Sequence, residues 1–139
     1  FLVILPFEEN DLNNSLDLIK YLLIHKKNVT IFLQEHKYNF FPAKDKINFI
    51  TYNLEDISKL NLPSKNLCNK LKEKNYDVVI DLNRKENTFF SAVANLVDSK
   101  VRIGFKKDYS EAYYNLLYGD NNNDSELVFR NFLNFIRMF

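Results

Sequence analysis

Residues Tyr76 to Phe105 read YDVVIDLNRKENTFFSAVANLVDSKVRIGF, and this stretch decides the fold. Two strand-like runs, Val78 to Asp81 and Lys100 to Phe105, enclose one amphipathic segment. That segment, Thr88 to Val97, reads as a helix. A strand, a helix and a second strand in this spacing form a βαβ unit, which requires a parallel sheet. The first strand ends in an acid, Asp81. The second carries Gly104, one of only two glycines in the chain.

The same alternation extends outward in both directions. Phe1 to Leu5 is a short apolar run stopped by Pro6, as suits a strand buried on both faces. Asn10 and Asp11 are placed to cap a helix. Leu12, Leu16, Ile19, Leu22 and Leu23 then recur at helical spacing. That helix is expected to end near His25 to Asn28, with Lys26 and Lys27 at its negative end. Val29 to Leu33 and Ile47 to Tyr52 are the next strands. Between them, QEHKYNFF reads as a short helix or turn closed by Pro42. Leu54 to Asn61 reads as one helical turn. Pro63 is expected to open a helix at its first turn, running to about Lys74 with Leu67, Cys68 and Leu71 inward. After Phe105, Glu111 to Leu117 reads as a helical turn or two and Asn121 to Asp124 as a surface loop. Glu126 to Phe139 reads as a final helix whose apolar stripe is wide enough to leave part facing a partner.

Strands alternating with helices predict an α/β, Rossmann-like, three-layer domain spanning 1–139. Its parallel sheet is expected to hold about five strands in the order 3-2-1-4-5, with helices on both faces. Ligands of such sheets sit at the carboxyl ends of the strands, at the switch point. The loops there are Pro6 to Asp11 and Leu82 to Asn87.

Composition narrows the function. Lysine and arginine number 19 against 18 acids, so no global field gathers nucleic acid or anionic lipid. Basic residues outnumber acids from Lys65 to Lys107, which reads as a solvated face. No apolar run approaches the roughly 18 residues of a membrane span. Cys68 is the only cysteine. It excludes an intrachain disulfide and a Cys-rich zinc site and fits a reducing compartment. His25 and His36 sit in polar, loop-like settings, and no metal site is expected. Beginning on Phe1 instead of Met, the chain reads as a piece of a longer protein.

Two glycines are too few for a phosphate cradle: neither a Walker loop nor G-x-G-x-x-G is present. The first loop, LPFEENDLNNS, holds Glu8, Glu9 and Asp11. Asp11 reads either as a helix-capping, first-turn acid or as a carboxylate able to deprotonate a hydroxyl. YDVVIDLN also looks like the phosphoacceptor strand of a response-regulator receiver. Asp81 comes one strand too late for that, and the first strand ends in Leu5-Pro6-Phe7 without the paired acids.

Four blocks in order resemble the N-terminal domain of glycosyltransferase family 9, the lipopolysaccharide heptosyltransferases. FLVILPFEENDLNNSLDLIKYL is similar to that family's opening strand, its loop ending in Gly-Asp, and the following helix. KNYDVVIDLN is similar to its Tyr-Asp…Ile-Asp-Leu-Gln-Gly strand. TFFSAVANLVDSKVRIGF is similar to its small-residue helix and Arg-Ile-Gly-Phe strand. SELVFRNFLNFI is similar to the helix that follows its His-Ala-Val-Glu-Arg segment.

The resemblance implies the N-terminal half of a GT-B enzyme, binding a glycan or glycolipid acceptor of the lipopolysaccharide-core type. An ADP-sugar or other nucleotide-sugar donor would be held by a C-terminal donor-binding domain outside these residues, with no cofactor bound by this one. Transfer would invert the anomeric carbon, with Asp11 as general base. Glu9, Asn10, Asn83, Arg84, Lys106 and Lys107 would form the acceptor side. The setting implied is cytoplasmic, with peripheral contact at the inner face of the membrane. The sequence departs from the motif where Asn10 and Arg84 replace glycines. A second reading follows: a non-catalytic, stand-alone relative of this domain that binds a glycan or a protein.

Overall fold

A computed structural model describes residues 1–41 and 44–139; the turn closure expected at Pro42 lies outside them. The strands are β1 (Leu2–Ile4), β2 (Thr30–Gln34), β3 (Asn48–Tyr52), β4 (Val78–Asp81), β5 (Val101–Phe105) and β6 (Leu116–Tyr118). The helices are α1 (Glu9–Ile24), α2 (Lys65–Lys72), α3 (Thr88–Leu96) and α4 (Ser125–Arg137). The sheet order is β3-β2-β1-β4-β5-β6, and every neighbouring pair is parallel. This is the Rossmann-like α/β architecture expected from the sequence, with one strand more.

Alternation across the pleat explains the apolar runs. Val3 and Leu5 face the layer that holds α1 and α4, while Leu2 and Ile4 face α2 and α3. Phe32 and Phe89 pack on the second face, with Tyr52 stacked on Phe32 at 4.7 Å between centroids. On the first face Phe132 of α4 is fully buried and lies 4.7 Å from Phe105. The wide stripe of the last helix is thus mostly covered: Val128, Phe129, Phe132 and Ile136 are buried, and Phe139 is exposed.

Several local expectations are corrected. Residues 111–117 do not form a helix. A 3₁₀ turn, Ser110–Ala112, is followed by β6, which pairs with β5 through Ile103↔Leu116 and Phe105↔Tyr118. A three-residue strand has no usable periodicity, and its connection lacks the helix that usually announces a parallel crossover. Helix α1 begins earlier than predicted. Its N-cap is Glu8, which makes no side-chain cap bond, so Asn10 and Asp11 lie inside the first turn. Helix α2 is capped by Ser64, whose Oγ accepts from Leu67 N at 3.2 Å, leaving Pro63 outside the helix. Cys68 is half-buried instead of inward.

Helix α1 closes in a Schellman motif: Lys26 N donates to Leu23 O and Lys27 N to Leu22 O, each at 3.0 Å. Lys26 occupies the left-handed position at φ 55°.

Gly104 has a packing reason. A Cβ there would lie 2.9 Å from Tyr114 Cδ1 and Cγ, so the strand leaves room for the tyrosine ring to lie against it. A Cβ on Gly119 meets nothing nearer than Lys106 Cδ at 3.8 Å. Gly104→Ala is therefore expected to lower unfolding free energy by about 1–3 kcal/mol through overpacking. Gly119→Ala stays within about 0.5 kcal/mol. Urea midpoints at constant m-value measure both.

Candidate functional site

Because β1 pairs with β4 in register Ile4↔Asp81, the loops that follow them open side by side. Asn83 holds the two loops together. Its Oδ1 accepts from Phe7 N at 2.9 Å. Its Nδ2 donates to Leu5 O at 3.2 Å and to Asp81 Oδ1 at 2.8 Å. Both amide protons are spent, so Asn83 shapes the rim from within. Lys37 adds a second clamp: its ammonium donates to Phe7 O at 2.7 Å and to Pro6 O at 3.4 Å. Desolvation lowers the Lys37 pKa, and the charges of Glu9 and Glu8 oppose that.

Asp81 is fully buried. Oδ1 also accepts from Asn83 N at 3.0 Å, while Oδ2 accepts from Lys107 Nζ at 3.2 Å and from the Tyr114 hydroxyl. Lys107 donates further to Asn83 O at 2.8 Å, with its ammonium 5.3 Å from the Tyr114 ring centre. A buried carboxylate is tolerated only when paired and hydrogen-bonded, and here every neighbour is a donor. Burial first, then the Asp81 charge, pushes the Tyr114 phenol well above its ordinary range.

Above this layer lies a hollow of about 450 Å³ lined by Glu8, Asn10, Asp11, Arg84, Lys85, Phe105, Lys106 and the Asp120 to Asn123 segment. Asp11 reaches it from the first turn of α1 but is only 4% exposed. Arg84 grips it with two parallel bonds, Nε to Oδ2 at 2.9 Å and Nη2 to Oδ1 at 2.8 Å. Ser125 Oγ, at the start of α4, donates to Oδ1 at 2.6 Å, and Asn14 Nδ2 donates to that Ser125 Oγ at 2.9 Å. Asp11 thus joins α1, the β4–α3 loop and α4.

The hollow gathers Asn10, Asp11, Arg84 and Lys106 from the residues singled out in the sequence. It does not gather Glu9, nor Lys107, which is committed to Asp81. Asn83 lines only a smaller neighbouring hollow of about 140 Å³. Lysine 106 is exposed, with no side-chain bond among the described residues.

Sequence reasoning missed Lys37, Lys85 and the Asp120 to Asn123 wall. That wall is a ladder of Asx turns. Asn122 N donates to Asp120 Oδ1, Asp124 N to Asn122 Oδ1 and Glu126 N to Asp124 Oδ1, at 2.9, 2.9 and 3.1 Å. Acids and amides at every second position, leading into a helix cap, were the available signal. Asp120 also accepts from Tyr118 OH at 3.0 Å. The backbone N–H of Asn122 is the largest influence holding the Asp120 pKa below its usual value. Among the described residues no three His, Cys, Asp or Glu side chains meet as a metal-holding group.

Residues 2–139 match the model of a family described as a family of unknown function (DUF6913). No curated protein and no solved structure gives a significant match.

Two predictions follow from the buried layer. Asp81→Asn strands the Lys107 ammonium and is expected to cost about 3–5 kcal/mol. Lys85→Ala, which loses only the exposed 3.1 Å pair with Glu8, is expected to cost almost nothing. The alkaline limb of stability depends on the tyrosines. Tyr52, Tyr76, Tyr114 and Tyr118 all have folded pKa values raised above 10, Tyr118 to about 12. Their contribution is complete below pH 10, where both states hold the phenolic proton. Above it the unfolded chain ionises first, so stability falls as pH rises toward 12. Lys37 acts in the opposite sense below 10.5, one group against four. The urea midpoint is therefore expected to fall from pH 10 to 12, with a shallower slope in Tyr118→Phe.

Proposed function

The chain belongs to the family of unknown function DUF6913, and we propose that its domain is a non-catalytic binding module for a glycan-type, polyhydroxylated ligand held in the 450 Å³ rim hollow. The observation that carries this reading is the Arg84 fork on Asp11. A general base must reach the proton it abstracts. Here the one carboxylate placed as a base is buried, and three donors occupy it. What remains facing solvent is binding chemistry.

The hollow's wall carries three acids, Glu8, Asp11 and Asp120, against three cations, Arg84, Lys85 and Lys106, with four asparagines between them. Mixed donors and acceptors without net charge suit hydroxyl groups better than phosphate. The scarcity of glycine supports the same choice. A single unpaired Cys68 fits a cytoplasmic setting, and no helix of the described residues is long and apolar enough to cross a membrane.

The direct test is titration of ¹⁵N-labelled protein with neutral and uronic-acid oligosaccharides. The expected result is a saturable shift at the amides of Asn10, Lys106 and Asn121 to Asn123, weakened about tenfold in Lys106→Ala, equivalent to about 1.4 kcal/mol. If no saccharide moves those amides, the reading is lost.

One observation favours a second reading, the acceptor half of an inverting glycosyltransferase resembling family 9. Asp11 sits at the switch point, in the first turn of α1, where the resemblance puts the base. The obstacle is a single side chain standing where that motif has glycine. Under this reading the full-length protein, given a nucleotide-sugar donor, transfers sugar. Arg84→Gly then raises the rate and Asp11→Asn abolishes it, as a radiolabelled-sugar assay measures. An unchanged rate in Asp11→Asn removes the base.

A further inference from the structure

A second cavity, of about 750 Å³, opens at the opposite end of the sheet. Its floor is the amino-terminal part of β4, β5 and β6, and its sides are the carboxyl-terminal turns of α1 and α4. Leu22, Ile80, Ile103 and Ile136 form its buried depth, with Val101 and Leu116 nearer the opening. The reason is geometric. Helix α4 sets Phe129, Phe132 and Phe135 against Phe105 and Tyr118, and Ile136 is its residue that reaches the cavity, with Phe1 and Phe139 completing the wall. The volume lies within the range of roughly 300–1,000 Å³ usual for small-ligand sites, and the lining has their character, apolar with a few polar groups.

Lys27 is the one charged side chain in the lining, and His25 and Asn115 add neutral polar groups. His25 and Lys27 stand at the mouth, placed there by the Schellman turn that ends α1. His25 packs on Tyr21 at 4.2 Å between ring centroids, with its Nδ1 2.9 Å from Tyr21 O. Arg137 lies 5.4 Å over the same tyrosine ring. No acid is among the lining residues, and the Asp77 charge acts on the Phe1 amino group. Ile24 and Met138 flank the opening, exposed.

We propose that this cavity binds a single-chain amphiphile with an anionic head, of the fatty-acid class. The tail lies along Val101, Ile103 and Leu116, and the carboxylate sits among Lys27, His25 and Arg137. Charge selects this occupant: an uncharged apolar molecule has no use for the Lys27 ammonium in the lining or for the Arg137 guanidinium over the lining Tyr21 ring. Shape argues against a second copy of the chain. A stable dimer face needs about 800 Å² per partner, and this one is a recess.

The probe is dodecanoate, with dodecanol as the uncharged control, titrated into the full chain by calorimetry and by methyl NMR. Saturable one-to-one binding is expected, with shifts at Ile103, Leu116 and Ile136. Lys27→Glu, a surface change, weakens dodecanoate about tenfold and leaves dodecanol within about twofold. Val101→Trp, which fills the recess, abolishes both. Absence of saturable binding, equal response of both probes to Lys27→Glu, or binding that survives Val101→Trp in folded protein overturns the proposal. A concentration-dependent dimer in sedimentation that dissociates in Val101→Trp overturns it too, in favour of a second copy.

Discussion

A carboxylate with no contact to water sits at the centre of this domain. Asp81 ends the strand that lies beside β1, and burying its charge is tolerable only because each oxygen has its donors. Those donors come from three separate places: the loop after β4, the residue that follows β5 by two, and the segment leading to β6. Satisfying one charge therefore ties together the segments that follow β4 and β5 and the one that precedes β6. Gly104 belongs to the same constraint. Tyr114 can reach Asp81 only by lying against β5, and only a residue without Cβ lets it lie there.

The second acid illustrates how environment assigns roles to the same functional group. Asp11 has partners of a different kind. Arg84 is partly exposed, and Ser125 belongs to the neighbouring helix of the same layer. Asp81 is locked within the sheet's own rim, whereas Asp11 fastens α4 to α1 and floors an open hollow. Both rim loops are thus held from beneath. Asp11 and Arg84 are fixed in the hollow by their mutual bonds, while Lys85 and Lys106 stand exposed at its edge.

The fold was legible wherever a segment had enough length for its period to show. Val78 to Asp81 stands where the quoted stretch put it, and Thr88 to Leu96 and Val101 to Phe105 each fall within one residue of the bounds read there. The order 3-2-1-4-5 followed from the handedness of crossovers. The strand that escaped, Leu116–Tyr118, has three residues and no preceding helix, so only tertiary pairing with β5 defines it. Of the residues singled out in the sequence, four line one hollow and others do not. Asn10, Asp11, Arg84 and Lys106 do meet, because all follow the carboxyl ends of strands, the first two in the opening turn of α1 and the others in loops. That Asn83 and Lys107 are consumed internally could not be read, since nothing in a linear pattern says which polar side chains turn toward Asp81. Asn121 to Asp124 is the exposed loop the sequence indicated, but its Asx ladder and its place in the hollow's wall follow only from the fold.

The substitution of arginine where the resembling motif has glycine bears most directly on chemistry. A glycine at 84 would leave Asp11 with Ser125 alone, and its second oxygen would face the hollow. Arginine fills that space with a planar fork matched to a carboxylate, and it also brings a cation toward Asp120. The same side chain therefore withdraws a base and balances two acids. A hollow meant to abstract a proton needs a carboxylate free to receive it. A hollow meant to hold hydroxyl groups needs its charges matched, so that no single ion dominates the field. The geometry around Arg84 meets the second requirement and works against the first.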